Sequence, residues 1–142
     1  MSELESIDWL LELRKLEHYC NKKGFAVLRQ AVKQDAIYFQ EKRIVLEDNH
    51  SDEISLYCLL HEMGHYVVLN KKNYSNVYEH IYDNFSKSSL THKIAILQEE
   101  LDAWGEGLKL ANRLGIKVNR RKYEITKSKC ISTYLTWAKN RR

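Results

Sequence analysis

A chain of 142 residues, with 44% hydrophobic and 30% charged residues, is long enough to bury a hydrophobic core, and we expect a single domain over 1–142. No apolar run approaches the ~20 residues that cross a bilayer, and "MSELESIDWL" lacks a basic region followed by an apolar stretch, so neither a membrane segment nor a signal peptide is predicted. Three scattered cysteines without CxxC spacing indicate reduced thiols in a cytoplasmic protein.

The first half of the chain predicts one helix followed by a small sheet. Ser2 and Glu5 have the spacing of a capping box, and Gly24 ends an amphipathic segment that runs to Lys23. Three short runs rich in β-branched and aromatic residues follow, "FAVLRQAV", "AIYFQ" and "RIVLED". Because their connections are short, we expect two or three mostly antiparallel strands.

The second half predicts helices. One runs from about Ser51 to Leu69, with an N-cap residue and acidic groups in its first turn. The stretch 70–89 is polar, with one or two helical turns around "VYEHIYDNF". A long helix ends at the C-cap glycine Gly115, and a final helix carries Cys130, Tyr134 and Trp137. The predicted fold class is therefore α+β, with a core at about 24–116 and a C-terminal helical segment over 117–142.

The helix "LLHEMGHYVV" carries the pattern HExxH. His61 and His65 are four residues apart, which places both imidazoles on one side of a helix, one turn apart. Glu62 lies beside them and can reach a metal-bound water without ligating the metal. Zinc lowers the pKa of such a water, and a carboxylate can take its proton during attack on a carbonyl. The alternative is a pair of core histidines bonded to backbone, but burying two histidines and a glutamate without partners is costly.

A catalytic zinc site needs a third protein ligand and leaves a fourth position for water. On a helical wheel of "AILQEELDAWGEGLKLA", Glu100 flanks the apolar stripe, whereas Glu99 and Asp102 lie away from it. Glu100 is thus the preferred ligand. Glu99 and Asp102 could instead orient a ligating histidine. Histidine can also serve as a third zinc ligand, so three alternatives to Glu100 stay open, His80, His92 and Glu99.

The predicted activity is zinc-dependent peptide hydrolysis, with one zinc per chain and Glu62 as general base. A donor must also stabilise the oxyanion that develops on the carbonyl. Four side chains are candidates for this role: Tyr66, Tyr78, His80 and Tyr82.

With "RIVLED", "LLHEMGHYVV" and then "EELDAWGEGLKLA", the chain resembles the ImmA/IrrE-like small zinc metallopeptidases of bacteria, phages and mobile elements. The resemblance covers Arg43 to Ile116 and includes the second motif of this group, here Glu100, Ala103 and Trp104. It implies a gluzincin-type, minimal zincin fold in which the substrate lies along an edge strand. It also implies endopeptidase cleavage, in several members of a DNA-binding repressor.

The C-terminal segment from Ile116 to Arg142 holds nine basic residues and one acidic residue, a net charge of +8, so the rest of the chain carries −4 of the overall +4. A solvated helix face is the commonest explanation of such a segment. The alternative function is a zinc-binding regulatory or nucleic-acid-associated domain that acts through this segment. A SprT-like protease would combine both properties, with His80 or His92 as third ligand. A structural protein with an accidental HExxH is the remaining hypothesis.

Overall fold

The computed structural model describes residues 6–140. Helices and strands follow in the order α1 (Trp9–Lys22), β1 (Ala26–Gln30), β2 (Ala36–Tyr38), β3 (Arg43–Glu47), α2 (Asp52–Leu69), a π-helical turn (Ser75–Glu79), α3 (His80–Asn84), α4 (Leu90–Leu114) and α5 (Arg120–Lys139). The α+β prediction is confirmed. Among residues 6–140, no helix is long and apolar enough to cross a membrane.

Two predicted helices have the expected ends. Ser51 caps α2 by accepting the N–H of Ile54 at 3.2 Å, and Gly115 ends α4 in the left-handed conformation at φ 68°. The first helix differs, because α1 begins only at Trp9, where the Asp8 side chain accepts the N–H of Leu11. The predicted capping box of Ser2 and Glu5 lies outside the described residues.

The sheet is mixed, with β3 between β1 and β2. β2 pairs antiparallel with β3, but the longer pairing, between β1 and β3, is parallel. The prediction of a mostly antiparallel sheet is therefore wrong. Ile44, Val45 and Leu46 are all buried, which is typical of a strand covered on both faces, so β3 takes the centre. The short connection 31–35 consequently passes over the end of β3, and β1 and β2 do not form a hairpin.

The main core surrounds α2. Every residue from Ser55 to Gly64 is buried, so this helix has no solvent face along those turns. The burial ends at the C-terminus of α2, where Leu69 is 38% exposed. A helix buried on all sides needs packing partners all round, and these come from α1, the sheet, α4 and α5.

Both ends of the chain contribute to this core, which therefore extends beyond 24–116. Leu13 and Leu16 of α1 and Tyr123 of α5 belong to the same cluster of buried side chains as the sheet residues. The buried carboxylate of Glu12 accepts the backbone N–H of Lys117 at 2.7 Å, which fastens α1 to the link between α4 and α5. The three cysteines are all unpaired thiols.

The polar stretch 70–89 contains the π-helical turn and α3. It packs against the start of α4 through a small second cluster built on Val68, Tyr78 and Ala95. This segment therefore packs on the end of α2 and the start of α4.

Candidate metal centre

α2 and α4 cross closely, with glycines at the contact. A Cβ added at Gly64 would overlap the carbonyl oxygen of Ala103, and one added at Gly107 would lie 2.6 Å from the carbonyl oxygen of Leu60. Only a residue without a Cβ lets the two backbones approach this far. Gly64 immediately precedes His65 and Ala103 lies one turn after Glu100, so this contact sets the distance between the histidines and that carboxylate.

Three donor groups converge at the crossing. The two Nε2 atoms of His61 and His65 are 3.1 Å apart. Glu100 places Oε1 3.0 Å from Nε2 of His61 and Oε2 2.8 Å from Nε2 of His65. His61 and Glu100 are buried, and His65 is nearly so. The structure thus brings together the two histidines of the motif and the carboxylate selected on the helical wheel.

The spacing of these donors fits a zinc ion. Nitrogen and oxygen ligands lie 2.0–2.2 Å from zinc in proteins, so two ligands of a tetrahedral site are about 3.3 Å apart. The separations between donor atoms, 2.8 to 3.1 Å, require only a small outward movement. Two imidazoles and one carboxylate also form a donor set that zinc uses in hydrolases, with one position left open.

Neighbouring groups hold the rings of both histidines. His61 stacks on the indole of Trp104, with centroids 4.3 Å apart and planes at 9°. Trp104 is itself fixed, because the hydroxyl of Tyr123 donates to its carbonyl at 2.6 Å. On the other side, Oε2 of Glu99 lies 4.0 Å from Nδ1 of His65. Carboxylates near the outer nitrogen of an imidazole orient such rings in metal sites.

The remaining ligand candidates lie elsewhere. His80 is exposed at the start of α3. His92 is buried two turns before Glu100, beside the ring of Tyr82, and its Nδ1 has no hydrogen-bond partner within residues 6–140. Asp102 accepts the hydroxyl of Tyr78. None of these three belongs to the converging set.

Glu62 faces a cavity of about 610 Å³ that also exposes part of His61. Oε2 of Glu62 lies 3.2 Å from Nδ1 of His61. The cavity has three kinds of lining: α2 and Trp104 as its floor, the ends of the strands on one side, and a face of α5 on the other. The α5 residues that line it are Thr126, Lys129, Cys130, Thr133 and Tyr134. The basic C-terminal segment thus supplies one wall of the cavity beside the metal centre.

The predicted oxyanion donors do not line this cavity. Tyr66 packs edge-on against Phe25 at 5.2 Å, and Tyr82 donates to Glu99 at 2.7 Å. Tyr78 is held by Asp102, and His80 is exposed. Tyr78 and Tyr82 instead hold Asp102 and Glu99 of α4, and Tyr82 lines a second, smaller cavity together with Glu99 and Glu100.

Tyr134 is the tyrosine that sequence analysis missed. It lines the cavity together with His61 and Glu62. Burial raises the pKa of Tyr134, and the negative charges of Glu100 and Glu62 raise it further, so its hydroxyl is protonated at neutral pH. The spacing of Cys130, Tyr134 and Trp137 on the predicted last helix was the available signal, but nothing in the sequence placed that helix beside α2.

In the absence of metal, His61 and Glu100 form a buried ion pair. Burial by itself lowers the pKa of His61, but hydrogen bonds to Glu100 and Glu62 outweigh it and raise the pKa to about 9. Burial raises the pKa of Glu100, whereas its bonds to His61 and His65 prevail and lower it to about 2. The free site is therefore charged and tightly paired at neutral pH.

This pairing predicts the pH dependence of the chelator-treated protein. Because the folded pKa of His61 lies above its ordinary 6.5, its contribution to stability is full below pH 6.5 and is lost as the pH rises through about 9. The contribution of Glu100 is full above its ordinary pKa of 4.5 and is lost as the pH falls toward 2. In chelator, the Tm of the wild type should decline from pH 6.5 to 9, and the decline should be shallower in Glu100→Gln. Equal slopes for the two proteins would contradict the pairing.

Comparison with known proteins found no relative of this chain. The chain matches no protein-family model, no curated protein and no solved structure.

Proposed function

We propose that this protein is a zinc-dependent metallopeptidase with one catalytic zinc per chain, held by His61, His65 and Glu100. The observation that carries the proposal is the convergence of these three side chains at a crossing of two helices, with Glu62 facing a cavity beside them. This donor set with an adjacent carboxylate is the arrangement that zinc hydrolases use. If the HExxH pattern were accidental, there would be no reason for a carboxylate of α4 to lie 2.8 to 3.0 Å from the Nε2 atoms of both histidines.

A bound zinc would supply a Lewis acid and lower the pKa of water at the site. The chain's own groups perform the proton transfers. Glu62 takes the proton of the attacking water and passes it to the leaving amine, which needs a carboxylate that faces the cavity. Trp104 and Glu99 keep the two imidazoles in position during these steps.

The cavity fits a peptide segment as substrate. Its strand-side lining includes Lys33, Gln34 and Asp35, which directly precede the edge strand β2. An extended peptide that pairs with a free strand edge gains backbone hydrogen bonds, so β2 is the surface along which we expect the substrate to lie. The substrate is then a protein or peptide. A DNA-binding regulator in the cytoplasm is the candidate that the family resemblance suggests.

Tyr134 is the donor we assign to the developing oxyanion, because its hydroxyl is protonated and shares the cavity with Glu62. Tyr134→Phe should lower kcat by about 10²–10³-fold, the usual cost of losing one such donor, while KM changes little. Tyr66→Phe is the matched control, since its ring packs on Phe25 away from the cavity. A kcat for Tyr134→Phe equal to that of Tyr66→Phe would remove Tyr134 from this role.

The function is tested by measuring metal content and cleavage together. His65→Ala should bind one zinc fewer per chain than the wild type, whereas His80→Ala, altered at an exposed site, should bind as much as the wild type. Cleavage of a mixture of unstructured peptides should stop in chelator and return on adding zinc. Equal zinc content in the wild type and His65→Ala would refute the metal centre.

The same experiment distinguishes the peptidase from the alternative function. A protein that binds zinc through His61, His65 and Glu100 but cleaves no peptide would be a zinc-binding regulatory domain. In the structure, part of the basic charge on α5 is already paired: Lys122 lies 3.3 Å from Glu53 and Lys127 lies 3.4 Å from Glu124. These pairs engage only two of the nine basic residues of the segment, so a nucleic-acid contact is tested by binding that weakens with salt.

A further inference from the structure

A second group of metal-binding side chains lies in the same cavity as Glu62. Asp35 precedes β2, His50 lies in the turn between β3 and α2, and Cys58 is on α2 one turn before His61. One donor atom from each of the three lies within 4.8 Å of the others. The three residues are far apart in the sequence and form no short motif, so only the fold brings them together.

Other contacts hold these donors in place. Oδ1 of Asp35 accepts the backbone N–H of Glu47 at 2.7 Å, and Oε2 of Glu47 lies 3.2 Å from Nε2 of His50. The carbonyl of His50 accepts a hydrogen bond from Arg29 at 2.8 Å, which fixes the turn. Cys58 is 8% exposed on a helix buried on all sides. Glu47 is therefore placed to hold the imidazole of His50.

The chemistry of this set selects the metal. A thiolate, an imidazole and a carboxylate are the ligand types of zinc sites, whereas magnesium and calcium take oxygen ligands only. Without metal, burial raises the pKa of the Cys58 thiol, and the charge of Asp35 and a hydrogen bond to it raise the pKa further. Zinc must therefore displace the thiol proton, which is released to solvent as the Zn–S bond forms.

We propose that Asp35, His50 and Cys58 form a second zinc site, and that zinc bound there inhibits the protein by occupying the cleft in front of Glu62. The cavity extends from these three side chains to His61 and Glu62, so an ion at one end takes space that a substrate needs. Binding at the second site is independent of the proposed peptidase activity; the inhibition rests on that activity.

Cobalt substitution tests the binding directly, because a thiolate ligand gives Co²⁺ an intense near-ultraviolet charge-transfer band. The set of His61, His65 and Glu100 contains no sulfur, so this band reports the second site alone. The wild type should bind two Co²⁺ per chain and show the band. Cys58→Ser and His50→Ala should each bind one and lose the band.

Two controls make the result specific. Cys130→Ser removes the other thiol that lines the cavity and should retain both metals and the band. His65→Ala should lose one metal and keep the band, so a failure of the catalytic site is distinguishable from a failure of the second one. His50 lies in a partly exposed turn, and its variant should fold, as circular dichroism will show. A band that persists in Cys58→Ser or in His50→Ala, or disappears in Cys130→Ser, would overturn the site.

Inhibition is measured on the same proteins. Excess zinc should suppress peptide cleavage by the wild type and by Cys130→Ser, and this suppression should be lost in His50→Ala. Equal inhibition of the wild type and His50→Ala would show that metal at this site does not block the cleft.

Discussion

Glu62→Gln is expected to leave zinc bound at the wild-type level while peptide cleavage falls by about 10²–10⁴-fold, the usual contribution of a general base. Glutamine keeps the size of the side chain and its position beside His61, where Oε2 of Glu62 now lies 3.2 Å from Nδ1. An amide cannot take a proton from water at neutral pH. The change therefore removes the base without removing a ligand.

Metal analysis and cleavage rates on the same preparation check this expectation. Glu100→Gln provides the comparison, since it alters a carboxylate that touches both histidines and should weaken zinc binding as well as cleavage. If Glu62→Gln cleaved peptides at the wild-type rate, Glu62 would not be the base. If it lost zinc to the same extent as Glu100→Gln, Glu62 would be a ligand.

Gly64→Ala is expected to destabilise the fold by about 1–3 kcal/mol, the typical cost of forcing extra atoms into a packed interior. The added Cβ meets the carbonyl oxygen of Ala103, a backbone atom that cannot rotate away, so α4 must move. Because Ala103 lies one turn from Glu100, that movement also withdraws the carboxylate from His61 and His65. We therefore expect weaker zinc binding together with a lower Tm.

Gly105→Ala is the matched control on the same helix. Among the described residues, a Cβ at Gly105 would have no neighbour within 4 Å, and the residue is exposed. Alanine has the higher helix propensity, so the free energy of unfolding of this variant should be higher by about 0.5–1 kcal/mol. The variant should bind zinc as the wild type does. Denaturant unfolding with and without chelator measures both variants. An unchanged zinc affinity in a folded Gly64→Ala would show that the helix contact does not position Glu100.

The sequence was most informative where a site is built within helices. The spacing of His61 and His65 and the position of Glu100 beside its apolar stripe follow from 3.6 residues per turn, and the structure brings these three side chains together. Ala103 meets α2 through its backbone carbonyl, so Gly64 is the small residue that lets α2 and α4 approach at this point. The α+β class followed from the same local patterns.

Relations between elements could not be predicted. Short connections suggested antiparallel neighbours, but β3 lies between β1 and β2 because its apolar run is buried on both faces. Tyr134 and the group of Asp35, His50 and Cys58 depend on how α5 and the strand ends meet α2, which no periodicity encodes. Tyr78 and Tyr82 were candidates for the oxyanion donor, whereas in the structure their hydroxyls bond Asp102 and Glu99.

The bond between Glu12 and Lys117 has a consequence for how the chain folds. It joins residues 105 positions apart, and loops of that length close slowly because their closure entropy must be overcome first. During synthesis, α1 leaves the ribosome long before its partner exists. We expect the nascent chain to carry the HExxH helix well before Glu100 and α5 emerge, so the cleft takes shape only after α5 has been made.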